Sequence, residues 1–190
     1  MRSLPARPFA HAVAALSLVL LVTPIAVAQT ATKPGIGGGI TIGTTDSVYS
    51  TVLKEWRRYL VYTPPSYDDT TYLPARYPVL YLLDGEAHFH SVSGLIQILG
   101  TGVNGTFVVP EMIVVAIPNT HRMRDLTPTR ADHGPDGKKV PDFAVSGGGP
   151  EFLRFLKTEL VSRIDSAYRT APYRVFIGHS LGGLMAISAL

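Results

Sequence analysis

Gly178-His179-Ser180-Leu181-Gly182-Gly183 stands directly after a short apolar strand, Tyr173-Arg174-Val175-Phe176-Ile177, and directly before an apolar stretch, Leu184 to Leu190, suited to begin a buried helix. A chain that passes from strand to helix around a serine in so few residues needs glycine where the backbone folds back on itself. The pattern G-x-S-x-G alone is weak, since three fixed positions arise by chance in about one chain of this length in twenty. The strand before it and the helix after it supply the context that the pattern requires. In that setting the serine projects from the carboxyl edge of a sheet, and the helix behind it points unpaired N–H groups at the same place. Ser180 is therefore the candidate nucleophile, with backbone amides beside it able to hold an oxyanion.

The elements upstream fit a sheet that would present such a turn. Ser47 to Leu53 and Arg57 to Thr63 are rich in Val, Tyr, Thr and Leu and predict an antiparallel hairpin joined by Lys54-Glu55-Trp56. Tyr77 to Leu83 and Met112 to Ile117 are nearly continuous apolar runs, as expected of parallel strands covered on both faces. A helix is predicted from about His88 to Leu99. Another begins at Pro150, with Phe152, Phe155, Leu156, Leu160, Val161, Ile164 and Tyr168 at helical spacing. Residues 119–149 show no hydrophobic period and are expected to form a long loop that is functional or mobile. Strands alternating with helices after an initial hairpin indicate a mostly parallel, layered α/β sheet.

The N-terminus reads as an address. Arg2 and Arg7 precede the apolar run Ala12 to Val22, followed by Thr23-Pro24 and the small-x-small triplet Ala26-Val27-Ala28. This is the pattern of a secretory signal cleaved after Ala28, because 11 apolar residues span only about half of a ~30 Å hydrocarbon core. Residues 1–28 are thus expected to be a signal peptide and 29–46 a flexible tether. The domain occupies 47–190, in a secreted or periplasmic compartment and without stable membrane insertion. Loss of Arg2 and Arg7 lowers the basic residues from 17 to 15 against 14 acidic ones, which gives no footprint for nucleic acid. The chain has no cysteine, so disulfides, thiolate metal sites and a cysteine nucleophile are excluded. His88-Phe89-His90 has a spacing found in some metal sites, but no further cluster completes it, and no metal is expected.

YPVLYLLDGEAHF, MIVVAIPNTHRMRDLTPT and YRVFIGHSLGG together resemble the esterase branch of the α/β-hydrolases that includes the enterochelin-type siderophore esterases and is related to the mycolyltransferases. The resemblance runs from about Ser47 to Leu190. It implies an α/β-hydrolase fold with an N-terminal antiparallel hairpin, truncated after the nucleophile elbow. It also implies a serine esterase without cofactor, in which Ser180 is the nucleophile and the backbone amides of Leu181 and Glu86 form the oxyanion hole. The Glu86 side chain on its own reads as an ordinary helix-start carboxylate. Acid and base follow the serine in this fold, so they are expected beyond Leu190, and the 190 residues alone are expected to be inactive and poorly soluble. The substrate class implied is a small ester. An acyltransferase of the same fold, or a catalytically incomplete binding module, uses the same features. Arg122 and Arg124 have two readings: exposed or paired to nearby aspartates, or a rim that attracts an anionic ester.

Overall fold

The computed structural model describes residues 39–102, 105 and 107–190; the expected leader and most of the tether lie outside them. A hairpin opens the fold, with β1 (Thr44–Ser50) antiparallel to β2 (Glu55–Tyr62). β1 starts at Thr44 rather than Ser47, because Thr44, Thr45 and Asp46 pair with Val61, Leu60 and Tyr59. The turn also falls earlier than expected, at residues 51–54, and its causes are partly distant. Ser50 Oγ accepts the Leu53 amide at 2.9 Å, Lys54 takes a left-handed backbone (φ 58°), and Glu159 accepts the amides of Thr51 and Val52 at 2.9 and 3.2 Å.

β3 (Tyr77–Leu83), β4 (Ile113–Ile117) and β5 (Thr170–Ile177) complete a five-stranded sheet in the order β1-β2-β4-β3-β5. β4, β3 and β5 run parallel, while β2 joins β4 antiparallel. The apolar runs of β3 and β4 are explained by burial on both faces. Val79, Tyr81, Leu83, Ile113, Val115 and Ile117 pack with Phe152, Phe155, Leu160 and Ile164 on one side. Leu80, Leu82, Val114 and Ala116 pack with Ile96, Phe89 and Val92 on the other.

That second layer is α1 (Gly85–Gly100), which begins three residues before the expected His88. The first layer is one continuous helical run in three parts: α3 (Gly149–Phe155), a π-turn at Leu156–Leu160, and α4 (Val161–Ala167). Buried Phe152, Leu156, Leu160 and Ile164 recur every fourth residue. On a regular α-helix each such step drifts about 40° around the axis, and the wider π-turn absorbs the drift so that all four face the sheet.

The stretch 119–149 is not structureless. It contains α2 (Arg122–Asp125), a 3-10 turn at Pro141–Val145 and a bridge between His133 and Lys139. Buried Asp125, Leu126 and Thr127 anchor it. The four residues of α2 carry too little sequence for a hydrophobic period; charge holds them, as described below. The last element, α5 (Leu181–Ser188), begins immediately after Ser180. No helix among the described residues is long and apolar enough to cross a membrane.

Candidate active site

Parallel strands bring the loops that follow them to one edge of the sheet. Leu82 lies beside Ile177 and Leu83 beside Ile117, so the segments after β3, β4 and β5 leave the sheet side by side. The β5 segment is the elbow. Ser180 has φ 56° and ψ −118°, a conformation rarely adopted by an L-residue, and caps α5 through its carbonyl, which accepts the Leu184 amide at 3.0 Å. Gly178 makes the turn possible, because a Cβ there would lie 2.2 Å from the carbonyl of Gly182. Leu181 is the first residue of α5, and its N–H donates to no acceptor among the described residues.

The β3 segment supplies the second first-turn amide. Asp84 takes a left-handed backbone (φ 52°, ψ 44°), and its carbonyl accepts the amides of Ala87 and His88 at 3.0 and 3.2 Å. Gly85 lets this turn rest on β4, since a Cβ would stand 2.8 Å from the Ile117 amide nitrogen. Glu86, next in the chain, also keeps an N–H with no acceptor among the described residues. Its side chain is exposed.

The β4 segment binds the other two together. Asn119 Nδ2 donates to Asp84 Oδ1 and to Glu86 Oε1, each at 2.7 Å. Arg122 donates to the same Asp84 carboxylate through Nε at 2.7 Å and Nη2 at 3.1 Å, and Nη2 also reaches the His179 carbonyl at 3.4 Å. Burial would raise the Asp84 carboxyl, but the donors of Arg122 and Asn119 and the adjacent positive charge outweigh it and hold the group below its ordinary value. Arg122 in turn holds its proton more tightly, chiefly through the hydrogen bond to Asp84.

An open cleft of about 530 Å³ lies here, with Leu181, Arg122, His121, Met123, Asp142 and Val145 in its wall. The cleft thus brings together Leu181 and Arg122 of the residues singled out in the sequence. Arg124 is turned elsewhere. It donates to Glu55 at 2.5 and 3.1 Å and to Asp125 Oδ1 at 2.6 Å, and these bonds raise its hold on its proton. Asp125 also meets Arg57, a buried arginine whose guanidinium lies over the rings of Phe152 and Phe155 at 5.3 and 5.7 Å. His179 packs edge-on against His88, with ring centroids 6.0 Å apart. His90, His121 and His133 are exposed. Among the described residues no group of three or more His, Cys, Asp or Glu is placed to hold a metal ion.

Two residues of this constellation carried no functional signal in the sequence. Asp84 reads there as the stop of β3, and Asn119 as the start of a loop. Only the LLDG and PNTHR stretches, taken as signatures of resemblance, point toward them.

A sheet whose parallel strands end in three loops around a strained serine at a strand-to-helix turn has the architecture of an α/β-hydrolase. The chain belongs to the family described as "Putative esterase", whose model matches residues 50–190. It is 34% identical over 175 residues to the ferri-bacillibactin esterase BesA of Bacillus subtilis (strain 168), covering 84% of this chain and 57% of BesA. It is similar to the crystal structure of an IroE-like serine hydrolase from Shewanella oneidensis, with a TM-score of 0.72 and 40% identity over 78% of this chain and 46% of that one. The siderophore hydrolase EstA from Aspergillus nidulans shares the fold, with a TM-score of 0.61 at 23% identity, covering 84% of this chain and 56% of EstA. The chain therefore spans about half the length of these relatives.

Proposed function

We infer that this chain carries the nucleophile and oxyanion hole of a serine esterase of siderophore-esterase type. The observation that carries the reading is the strained backbone of Ser180, φ 56° and ψ −118°, followed directly by the Leu181 amide; that amide and the Glu86 amide after β3 have no acceptor among the described residues. Strain of about 1–3 kcal/mol persists at a residue only when its surroundings over-determine it, and such residues cluster at reactive sites. The relatives named for ferri-bacillibactin and as an IroE-like serine hydrolase favour an ester of an iron-chelating small molecule.

In this reading Ser180 Oγ attacks the ester carbonyl carbon as its proton passes to a general base. The carbonyl oxygen becomes an oxyanion held by the Leu181 and Glu86 amides. Collapse breaks the bond to the alcohol oxygen, which leaves with the proton, and water then hydrolyses the acyl-serine. The base is not assigned to any of the 190 residues. Arg122, in the cleft wall and with 38% of its side chain exposed, is the cation that would meet an anionic substrate. The leader-like residues 1–28 support export to a periplasmic or secreted location.

The test uses a catalytically complete form of the protein, one that also carries the general base, and a fluorophosphonate probe, with the modified peptide mapped by mass. Label on Ser180, together with a loss of about 10^3-fold or more in ester turnover for Ser180→Ala, is the expected result. Label on another residue, or near-normal turnover by Ser180→Ala, overturns the assignment.

A further inference from the structure

Asn119 has a nitrogen with two hydrogens, and two carboxylates take them: Asp84 Oδ1 and Glu86 Oε1, each at 2.7 Å. The backbone N–H of the same residue donates to the second Glu86 oxygen at 3.1 Å. One residue at the end of β4 therefore grips the segment Asp84-Gly85-Glu86 from both ends. Between those ends lies the peptide that carries the Glu86 N–H. Asp84 is closed on its other side by Arg122, and its carbonyl is occupied by the Ala87 and His88 amides. Among the described residues Arg122 makes no hydrogen bond to Glu86, although its charge is felt there; Asn119 is what bonds that exposed carboxylate to the rest of the network.

We propose that Asn119 is a positioning residue for the oxyanion hole, fixing the direction of the Glu86 amide by tying the Asp84 and Glu86 carboxylates to the end of β4. This rests on the reading of Glu86 N–H as an oxyanion donor. The chemistry requires a neutral double donor at this position. Two carboxylates sharing one nitrogen repel each other, and without its hydrogens the exposed Glu86 side chain would keep only the residue 119 backbone N–H and lose its link to Asp84, loosening the first turn of α1. An aspartate at 119 would add a third negative charge and its side chain would offer no hydrogen. A misdirected donor acts on the transition state, where the oxyanion exists, more than on the bound ester, so the loss belongs in kcat.

In the same catalytically complete form, Asn119→Ala should lower kcat on a neutral ester by about 10- to 100-fold, with KM changed less than about twofold. It should weaken a boronic acid that mimics the tetrahedral intermediate by a similar factor. Asn119→Asp should be worse than Asn119→Ala. Glu86→Ala keeps the amide but removes both acceptor oxygens of an exposed side chain; it should lose kcat in the same direction by a smaller factor, and it decides the matter if Asn119→Ala fails to fold. A loss confined to KM, or a lowered Tm with kcat and boronate affinity intact, overturns the proposal. Ser180→Ala, assayed beside them, separates the two levels of inference. If it remains active, the esterase reading itself fails; if it is inactive while Asn119→Ala and Glu86→Ala keep full kcat, only the positioning role fails.

Discussion

Arg57 Nη1 meets Asp125 Oδ2 at 2.6 Å, and neither side chain has more than 2% of its surface exposed. This ion pair joins β2 to α2, the turn that carries Arg122, and it is not symmetric in its dependence. Asp125 keeps a second partner, Arg124 Nε at 2.6 Å, if Arg57 is removed. Among the described residues Arg57 keeps Glu55 alone as a charged partner, at 2.9 Å, if Asp125 is removed. Breaking a buried pair by deleting one member costs about 3–5 kcal/mol because the other is stranded, whereas an apolar replacement of similar volume is tolerated better. Asp125→Ala should therefore lower the unfolding free energy by about that amount and Arg57→Met by clearly less, as read from denaturant midpoints at unchanged m-value. Equal losses would mean that Arg124 does not compensate.

The Asp84 carboxyl, held below its ordinary value of about 3.9, links the site to acid stability. A carboxyl depressed by folding contributes stability above its unfolded value and loses it as the pH falls through the folded one. Wild-type stability should decline below about pH 4, with Glu55, Glu159, Asp46 and Asp69 shifted in the same direction and adding to the slope. Asp84→Asn should be less stable at pH 7 and show a shallower acid limb, so that the two proteins converge toward pH 2. A gap that stays constant over that range would show that shape at residue 84, and not charge, sets the difference.

The strain at Ser180 is measurable apart from catalysis. Ser180→Ala keeps a Cβ at φ 56° and so retains the strain, whereas Ser180→Gly removes it. The glycine variant gains entropy in its unfolded chain, which offsets part of the relief. It should still be more stable than the alanine variant by about 1 kcal/mol in equilibrium denaturation. Identical midpoints would show that the strain is no larger than this entropic offset, and a more stable alanine variant that the elbow stores none.

Arg122 and Arg124, two residues apart, should separate by phenotype. In a catalytically complete form of the protein Arg122→Gln should impair anionic esters more than neutral ones, by a margin that narrows as salt screens exposed charge over about 10 Å at 0.1 M. Arg124→Gln leaves Glu55 and Asp125 short of a donor and should reduce stability while affecting both substrate types equally. An anion-selective loss at Arg124 would return it to the rim of the site.

What could be seen in the sequence, and what could not, follows the distance over which each feature is determined. β3 and β4 are legible because covering both faces of a strand demands an unbroken apolar run, a purely local signature. The elbow is legible because Gly178, Ser180 and the flanking strand and helix lie within a few residues of one another. The β1–β2 turn was misplaced because Glu159, 108 residues from Thr51, fixes it. Helix α2 is not legible there because it is held by Arg57, 68 residues from Asp125. The grip of Asn119 on Asp84 and Glu86 spans 35 and 33 residues, and no periodicity records a hydrogen bond between loops.

The outer edge of β5 gives the last expectation. β5 pairs with β3 on one side, and no described strand pairs with its other side. Tyr173, Ile177, Leu184 and Ile187 are exposed along β5 and α5, and an open apolar groove of about 310 Å³ runs beside Val175, Phe176 and Tyr81. Unpaired N–H and C=O groups next to apolar side chains are a template for edge-to-edge association, and charge at such an edge opposes it. Residues 39–190 should therefore self-associate at micromolar concentration, and a Tyr173→Lys, Ile187→Lys double variant should shift light scattering toward monomer. Both positions are exposed, so the change should leave the unfolding midpoint nearly unaltered. Association unchanged by the two lysines would place the contact on another surface, with α1 next to be tested because Leu95 and Ile98 are also exposed there.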